Sequence, residues 1–428
     1  MFPPKIILLW FLIIPFCDCV EIINENVYKN ITLENQNVII IEDIKFVNNG
    51  EDGVNDYTYT LDPSVQKAKV TFSQDYLKYD NRTYLIKLPK VILKNERFTL
   101  EVVIVVLDEL VLIDSHSTQR FIHYKGNLEY YSVYKTKNFM IVYELPEKRC
   151  EFVEIEPKIH GNKTRVSNQL FDVQPYSFFP LQIVYMNNLP FYYVTNFERK
   201  IDISHYGFII IEETVTVVNK GYKSKQPYQP VPNYTRTKLR TLLPELAFNI
   251  KLFDGIGNNS KSQLYYSDYG TLLVFESRYE LFMAWKTIYT LKYTVPAYPY
   301  LQKSDDIYVL DMVVVDDVLP NAFIKTAKTK VYLPESSRLI SANITEDADV
   351  KIGDKEIITT ALAPSREIVV FESFDLVNGL APNFRVVYKR GPIHVFKPAF
   401  YIITYVESIF LFYLFVSYVK SVLVLQKS

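Results

Sequence analysis

Cysteine is scarce: the 428-residue chain has three, Cys17, Cys19 and Cys150. The first two fall in an N-terminal stretch with the layout of a secretory signal peptide. Lys5 gives the charged start, Ile6 to Phe16 the apolar region, and Cys17 and Cys19 the small residues before a cleavage site. Cleavage would leave Cys150 alone. One thiol makes no internal disulfide and no zinc cluster, so a secretory chain of this kind must stand on its hydrophobic cores. The five histidines, His116, His123, His160, His205 and His394, show no His-Glu-x-x-His spacing, so no metal site is expected. Net charge is nearly absent as well, at −1, which removes the electrostatic case for nucleic acid. With only 12 glycines, the chain is not of low complexity. No Gly-x-Ser-x-Gly elbow and no phosphate-binding Gly-x-x-x-x-Gly-Lys-[Ser/Thr] loop occurs. Neither a catalytic residue nor a cofactor site can be nominated.

What is abundant is aromatic and β-branched: 34 Tyr and 28 Phe, suited to pleated, half-buried surfaces. The stretch Phe197–Gly221 reads as a hairpin. Ile201 and Ile203 alternate with Asp202 and Ser204, His205-Tyr206-Gly207 makes a corner, and Val215 and Val217 alternate with Thr214 and Thr216 before Asn219-Lys220-Gly221. Nearly the same text stands at Lys29–Gly50. Ile-Ile-Ile-Glu-acid recurs at Ile39–Asp43 and Ile209–Glu213, and Asn-x-Gly closes both copies. The offset is 170 residues, slipping to 171 at the end, too long for a solenoid period. It implies a duplicated domain opening with the same hairpin.

Further strands are expected throughout. Among them, Tyr308–Val315 matches the region near Phe121–Tyr134, and Lys330–Pro334 echoes Val142–Pro146. No long helical period precedes the apolar segment Pro398–Val419, which has the length of a membrane span and is flanked by Lys397 and Lys420. The expected architecture is all-β: two tandem antiparallel β-sandwich domains followed by one C-terminal transmembrane helix. The boundaries fall at 1–19 for the signal peptide, 20–191 and 192–396 for the two luminal domains, 397–420 for the span and 421–428 for a short cytosolic tail.

Candidate functional residues are few. Acid pairs stand at Glu42-Asp43, Glu212-Glu213, Asp305-Asp306 and Asp316-Asp317. Neighbours on a strand face opposite ways, so one of each pair is expected to be solvated, and recurrence of the first two favours a structural role. Asn-x-Ser/Thr sequons at Asn30, Asn81, Asn162, Asn233, Asn258 and Asn343 are candidate glycosylation sites in a secretory chain. Glu407 lies near mid-span, where an unpaired carboxylate costs roughly 2.5–3.5 kcal/mol on insertion scales, so it is expected to face a partner.

Several segments together resemble the ribophorin I family of oligosaccharyltransferase subunits. They are Phe197–Val215, Leu239–Pro244 with Asp254-Gly255-Ile256-Gly257-Asn258, and Trp285-Lys286-Thr287 with Tyr293 and Pro296–Leu301. Glu25-Asn26-Val27, Gly126-Asn127 and Tyr130-Tyr131-Ser132 extend the likeness into the first half. The resemblance implies a non-catalytic subunit of the complex that moves a preassembled oligosaccharide from dolichyl diphosphate to Asn of sequons in nascent polypeptides. It implies partners: a multi-spanning catalytic subunit, other subunits and the nascent chain. It also implies the endoplasmic reticulum membrane, with the bulk in the lumen. A chain ending soon after Lys420 is expected to lack the longer cytosolic extension of some animal members. The catalytic subunit's Trp-Trp-Asp motif is missing from the sequence, and one span cannot form a groove for a polyprenyl donor. The alternative class is a single-pass cell-surface receptor or adhesion ectodomain, against which the missing disulfides and the Trp285–Leu301 signature both count. A membrane-anchored hydrolase would need a nucleophile–base or metal constellation.

Overall fold

A computed structural model describes residues 22–33, 37–107, 110–113, 121–145, 151–157, 164–187, 191–204, 206–220, 238–267, 270–282, 284–319, 322–344, 350–360, 363–377, 381–391 and 396–425. The signal peptide, Cys150 and the loop after Lys220 lie outside them. Two compact units are present. The first carries β1 (Ile22–Leu33), β2 (Val38–Asn48), β3 (Val54–Thr60), β4 (Ala68–Phe72), β5 (Tyr76–Lys78), β6 (Thr83–Ile92) and β7 (Arg97–Val106). It continues through β8 (Val111–Ile113), β9 (Phe121–Asn127), β10 (Thr136–Glu144), β11 (Glu151–Glu156), β12 (Arg165–Val173) and β13 (Pro180–Met186). The second begins with β14 (Tyr192–Ile203), β15 (Phe208–Asn219), β16 (Lys238–Leu243), β17 (Phe248–Asp254), β18 (Gly257–Asn258), β19 (Ser262–Ser267), β20 (Gly270–Glu276) and β21 (Lys286–Pro296). It ends with β22 (Leu301–Ser304), β23 (Ile307–Val313), β24 (Phe323–Tyr332), β25 (Arg338–Ile344), β26 (Val350–Ile352), β27 (Glu356–Thr360), β28 (Ala363–Val377), β29 (Asn383–Lys389) and helix α1 (Lys397–Leu425).

The duplication is visible strand by strand. The large sheet of the first unit runs β12-β10-β1-β2-β7-β4, and that of the second runs β28-β24-β14-β15-β21-β17, with β18, β26 and β27 added at its ends. Three-stranded sheets β3-β6-β5 and β16-β20-β19 correspond, as do four-stranded sheets β11-β13-β9-β8 and β25-β29-β23-β22. The hairpins β1–β2 and β14–β15 occupy the same place in each set. So do the strand pairs matched in the sequence, β9 with β23 and β10 with β24.

The all-β class and the C-terminal helix hold, but the two tandem antiparallel sandwiches do not. Among the described residues there are six sheets, three to a unit, and β1 pairs β10, and β14 pairs β24, in parallel. Alternation in a sequence reports which face of a strand is buried. It is silent on which neighbour the strand takes and in which direction. Strand β12 shows the same limit: Arg165–Val173 is largely polar and lies at a sheet edge, so it gave no hydrophobic signal.

The hairpins also correct the register of the repeat. On β1 and β14 the inward residues match at an offset of 170: Val27 with Phe197, Lys29 with Arg199, Ile31 with Ile201. On β2 and β15 they match at 171 throughout: Val38 with Ile209, Ile40 with Ile211, Glu42 with Glu213, Asn48 with Asn219. The slip sits in the turn. Leu33 pairs Val38 across four residues, whereas Ile203 pairs Ile209 across five. Gly207 takes φ +82° in that longer turn, a backbone conformation that a Cβ would disfavour, and its carbonyl accepts Ala297 N at 2.8 Å. A one-residue slip exchanges the two faces of a strand. The Ile-Ile-Ile-Glu text therefore recurs one step out of phase, and the counterpart of Glu42 is Glu213, not Glu212.

Candidate functional site

The alternation that buries Ile and Val on each hairpin also buries one cation and one anion. Lys29 and Glu42 are cross-strand partners, with Nζ 3.0 Å from Oε1 and both side chains enclosed. Arg199 and Glu213 are the equivalent pair, with Nε 3.2 Å from Oε1. Arg199 is the largest fully buried side chain among the described residues, at 0% exposure.

Surroundings distinguish the two. In the second unit, Arg199 Nη1 donates to Val313 O at 2.8 Å and Nη2 is ion-paired to Asp316. The Tyr293 hydroxyl lies 3.0 Å from Glu213 Oε1 and 2.9 Å from Asp316 Oδ2. In the first unit, Tyr59 donates to Glu42 Oε2 at 2.9 Å, and Tyr57 donates to Asn24 Oδ1 at 3.0 Å. Asn24 in turn donates to Thr136 Oγ1 at 3.2 Å. Asp316 stands three residues past the end of β23. Three residues past the end of β9 stands Tyr130, buried and neutral.

Glu213 is pushed up to about 7, first by burial and then by Asp316, against the pull of Arg199. The geometry agrees. The hydroxyl of Tyr293 has one proton for two carboxylates, so a proton on Glu213 completes the set. Lys29 is held above its usual range by Glu42 and Asp62, although burial is the largest influence and acts the other way. No substrate can reach a guanidinium with 0% exposure, so Arg199 serves to lock strands together. Among the described residues no group of three or more metal-ligating side chains is present.

Of the acid pairs, Glu42 is buried while Asp43 is exposed, and Glu213 is buried while Glu212 is half-buried beside Lys200. The strand argument for solvating one member of each pair is thus correct for both hairpins. What the sequence reading missed is that Asp316 joins Glu213. The available signal was a cation at an inward position, Lys29 between Val27 and Ile31, and Arg199 between Phe197 and Ile201.

The sequons separate by exposure. Asn81 is exposed in a turn whose Asp80 carboxylate accepts Arg82 N and Thr83 N, each at 2.7 Å. Asn258 is exposed beside the Asp254–Arg278 clasp, with Nε 2.8 Å from Oδ2. Asn343 is exposed on edge strand β25. Asn30 sits inside the large sheet with its Oδ1 enclosed. Asn162 and Asn233 lie outside the described residues, as do His116, His160, His205 and His394. Of the Trp285–Leu301 signature, Tyr293 belongs to the buried cluster and Ala297 ties the turn to Gly207. Trp285 is 56% exposed, edge-on to Phe282 at 5.1 Å. Helix α1 contains an apolar stretch, Ala399–Lys420, long enough to cross a membrane, with Glu407 exposed on it.

These features define a β-rich protein of two units with matching strand orders, braced by buried ion clusters and carrying an apolar C-terminal helix. Residues 22–417 match the Ribophorin I family, and the chain belongs to it. It is 26% identical over 416 residues to dolichyl-diphosphooligosaccharide–protein glycosyltransferase subunit 1A of Arabidopsis thaliana, covering 88% of this chain and 66% of that one. Against subunit 1 of Caenorhabditis elegans the identity is 24%, covering 76% and 57%. Against subunit 1B of Oryza sativa subsp. japonica it is 27%, covering 78% and 72%. The chain thus spans roughly two thirds of the length of the first relative and less of the second. Among solved structures, yeast LTA4 hydrolase matches 46% of this chain and 29% of its own at 10% identity. Its TM-score of 0.26 carries no argument.

Proposed function

We propose that this chain is a non-catalytic subunit of an oligosaccharyltransferase, the enzyme complex that transfers a preassembled oligosaccharide from dolichyl diphosphate to Asn of sequons. Membership of the Ribophorin I family over residues 22–417 carries the reading. The buried clusters are compatible with it, because their charges hold strands together. In this reading the chain sits in the endoplasmic reticulum membrane as a single-pass type I protein. A signal peptide, 1–19, is removed. Domains 20–191 and 192–396 lie in the lumen, the span covers 397–420, and 421–428 is cytosolic. The multi-spanning catalytic subunit and other subunits are its partners, and the luminal domains help present the nascent polypeptide. Glycans occupy Asn81, Asn258 and Asn343, which are exposed. Asn30 is half-buried with its Oδ1 enclosed, which makes it less accessible than these three.

The experiment is purification of the full chain from membranes in mild detergent, followed by assay and depletion. The catalytic subunit should co-purify, and depletion should lower sequon occupancy on many secreted proteins. Transfer by the isolated 20–396 fragment would overturn the non-catalytic role. Unchanged glycosylation after depletion would overturn the assignment to the complex.

A further inference from the structure

Within the apolar stretch of α1 the one carboxyl group, Glu407, meets no donor among the described residues. The Thr404 hydroxyl lies 3.0 Å from the Phe400 carbonyl, and Ser408 Oγ donates to Thr404 O at 2.7 Å. Both hydroxyls are therefore spent on their own helix. Glu407, between them, is exposed and has no hydrogen-bond or ion-pair partner among the described residues. Its neighbours one turn away on the same face, Thr404 and Leu411, offer it no free donor.

Sliding the helix does not relieve this. At 1.5 Å per residue, Glu407 lies about 12 Å from Ala399 and about 20 Å from Lys420. Raising Glu407 to one surface would draw Lys420 to about 10 Å short of the other across a ~30 Å core. One charge or the other is then submerged. With Lys420 at the boundary, the submerged group is a carboxylate.

The helix surface around it is shaped for close approach. Thr404 and Ser408 are four residues apart, small, and flank Glu407, an arrangement that lets a second backbone come near. At 100° per residue, Thr404, Glu407, Ser408 and Leu411 share one face, while Ile409 and Val416 lie on the opposite one.

The geometry points to a second membrane-spanning helix, from a different chain, packed on the Thr404–Glu407–Leu411 face and carrying an ammonium, guanidinium or amide donor at the depth of Glu407. A second copy of α1 fits less well, because it would set two carboxyl groups against each other at one depth. The inference deepens the reading of this chain as a subunit of a membrane complex and rests on it.

The test places a photoreactive phenylalanine at Leu411, or at Ile409 as the control face, in the full chain in native membranes. Each is combined with wild-type Glu407, Glu407→Gln or Glu407→Leu. Glu407→Leu makes the span more apolar, so it inserts at least as well as wild type. Position 411 should give one heteromeric adduct and position 409 should not. Glu407→Leu should cut the adduct by about tenfold, and Glu407→Gln, which keeps a hydrogen-bonding amide, should retain most of it. Equal adducts from both positions, an adduct indifferent to Glu407→Leu, or an adduct of twice the chain's own mass would each overturn the inference. An adduct that obeys these rules with a protein outside any oligosaccharyltransferase would uphold the helix contact while refuting the proposed complex.

Discussion

The two units carry the same buried ion pair in two different settings. Lys29–Glu42 links neighbouring strands, with hydroxyls from Tyr59 and, on the connector after β9, Tyr130 beside Glu42, and with the buried Asp62 acting on Lys29 through space. Arg199–Glu213 links the equivalent strands, but the connector after β23 brings its acid, Asp316, into a direct ion pair with the cation. The cation differs accordingly. An ammonium is a compact point charge, whereas a guanidinium offers five donors in a fixed fork. Arg199 uses that fork on Glu213, on Asp316 and on the carbonyl of Val313, and so ties the hairpin to a segment more than a hundred residues away. The pair recurs in both units while its neighbours differ, and the guanidinium stands where two carboxyl groups touch the cation directly.

Removing the cation should break the comparison most strongly. Arg199→Met leaves two carboxyl groups and one tyrosine hydroxyl facing each other without a counter-charge, and frees the connector from the hairpin. Lys29→Met leaves Glu42 with the Tyr59 hydroxyl still donating to it, and Asp62 without the cation that acts on it through space. Breaking a buried pair typically costs about 3–5 kcal/mol, with Arg199→Met expected toward the upper end and Lys29→Met toward the lower. Hydrogen exchange of strands β14–β15 against β1–β2 would read each unit separately. Equal losses in the two units would mean that Asp316 adds nothing.

pH should sharpen the same contrast. A carboxyl near 4.5 in the unfolded chain and near 7 in the folded one binds more protons when folded between those values. The second unit is therefore favoured at low pH and loses stability as pH rises from about 5 to 8, by up to ~3 kcal/mol. Lys29 is raised above its ordinary value, so its contribution is complete below that value and is lost only at strongly alkaline pH. Between pH 5 and 8 Lys29 should add no slope. Glu213→Gln should flatten the profile of the second unit and leave the first unchanged. A slope that survives Glu213→Gln would assign the proton elsewhere.

Much of this fold could be read from the chain, and the part that could not has a physical boundary. Ile201 and Ile203 alternating with Asp202 located the hairpin, and Val142–Pro146 against Lys330–Pro334 located a second equivalent pair, because burial on one face leaves a period of two in the text. Inward positions for Lys29 and Arg199 were equally legible from that period, though a charge between apolar residues reads at first as an interruption. Pairing was not legible. Nothing in β10 announces that it runs parallel to β1, and the edge strand β12 buries only Val166 and Val173, too few for an alternating signal. The meeting of Arg199, Glu213, Tyr293 and Asp316 depends on a connector laid across the sheet, which local alternation cannot encode. The repeat itself misled by one residue, because identical words, Ile-Ile-Ile-Glu, outweighed a turn that differs in length by one.

The smallest expected effect lies one residue away from the largest. Lys200 and Glu212 are also cross-strand partners on β14 and β15, one step along from Arg199 and Glu213 and therefore on the opposite face of the same sheet. Nζ is 3.0 Å from Oε1, as close as the buried pair, and Lys292 stands 3.9 Å from the other carboxylate oxygen. Distance alone would rank the two ion pairs as equals. Exposure separates them: the Lys200 side chain is 50% exposed, so water and salt screen the attraction, and two long side chains must be ordered to make it. A double-mutant cycle of Lys200→Ala and Glu212→Ala should give a coupling of about 0.2–1 kcal/mol that fades at high salt. The same cycle on Arg199 and Glu213 should give several times more and resist salt. A salt-insensitive coupling at Lys200–Glu212 would show that the outer face of this sheet is not solvated in the intact protein, and that another surface packs over it.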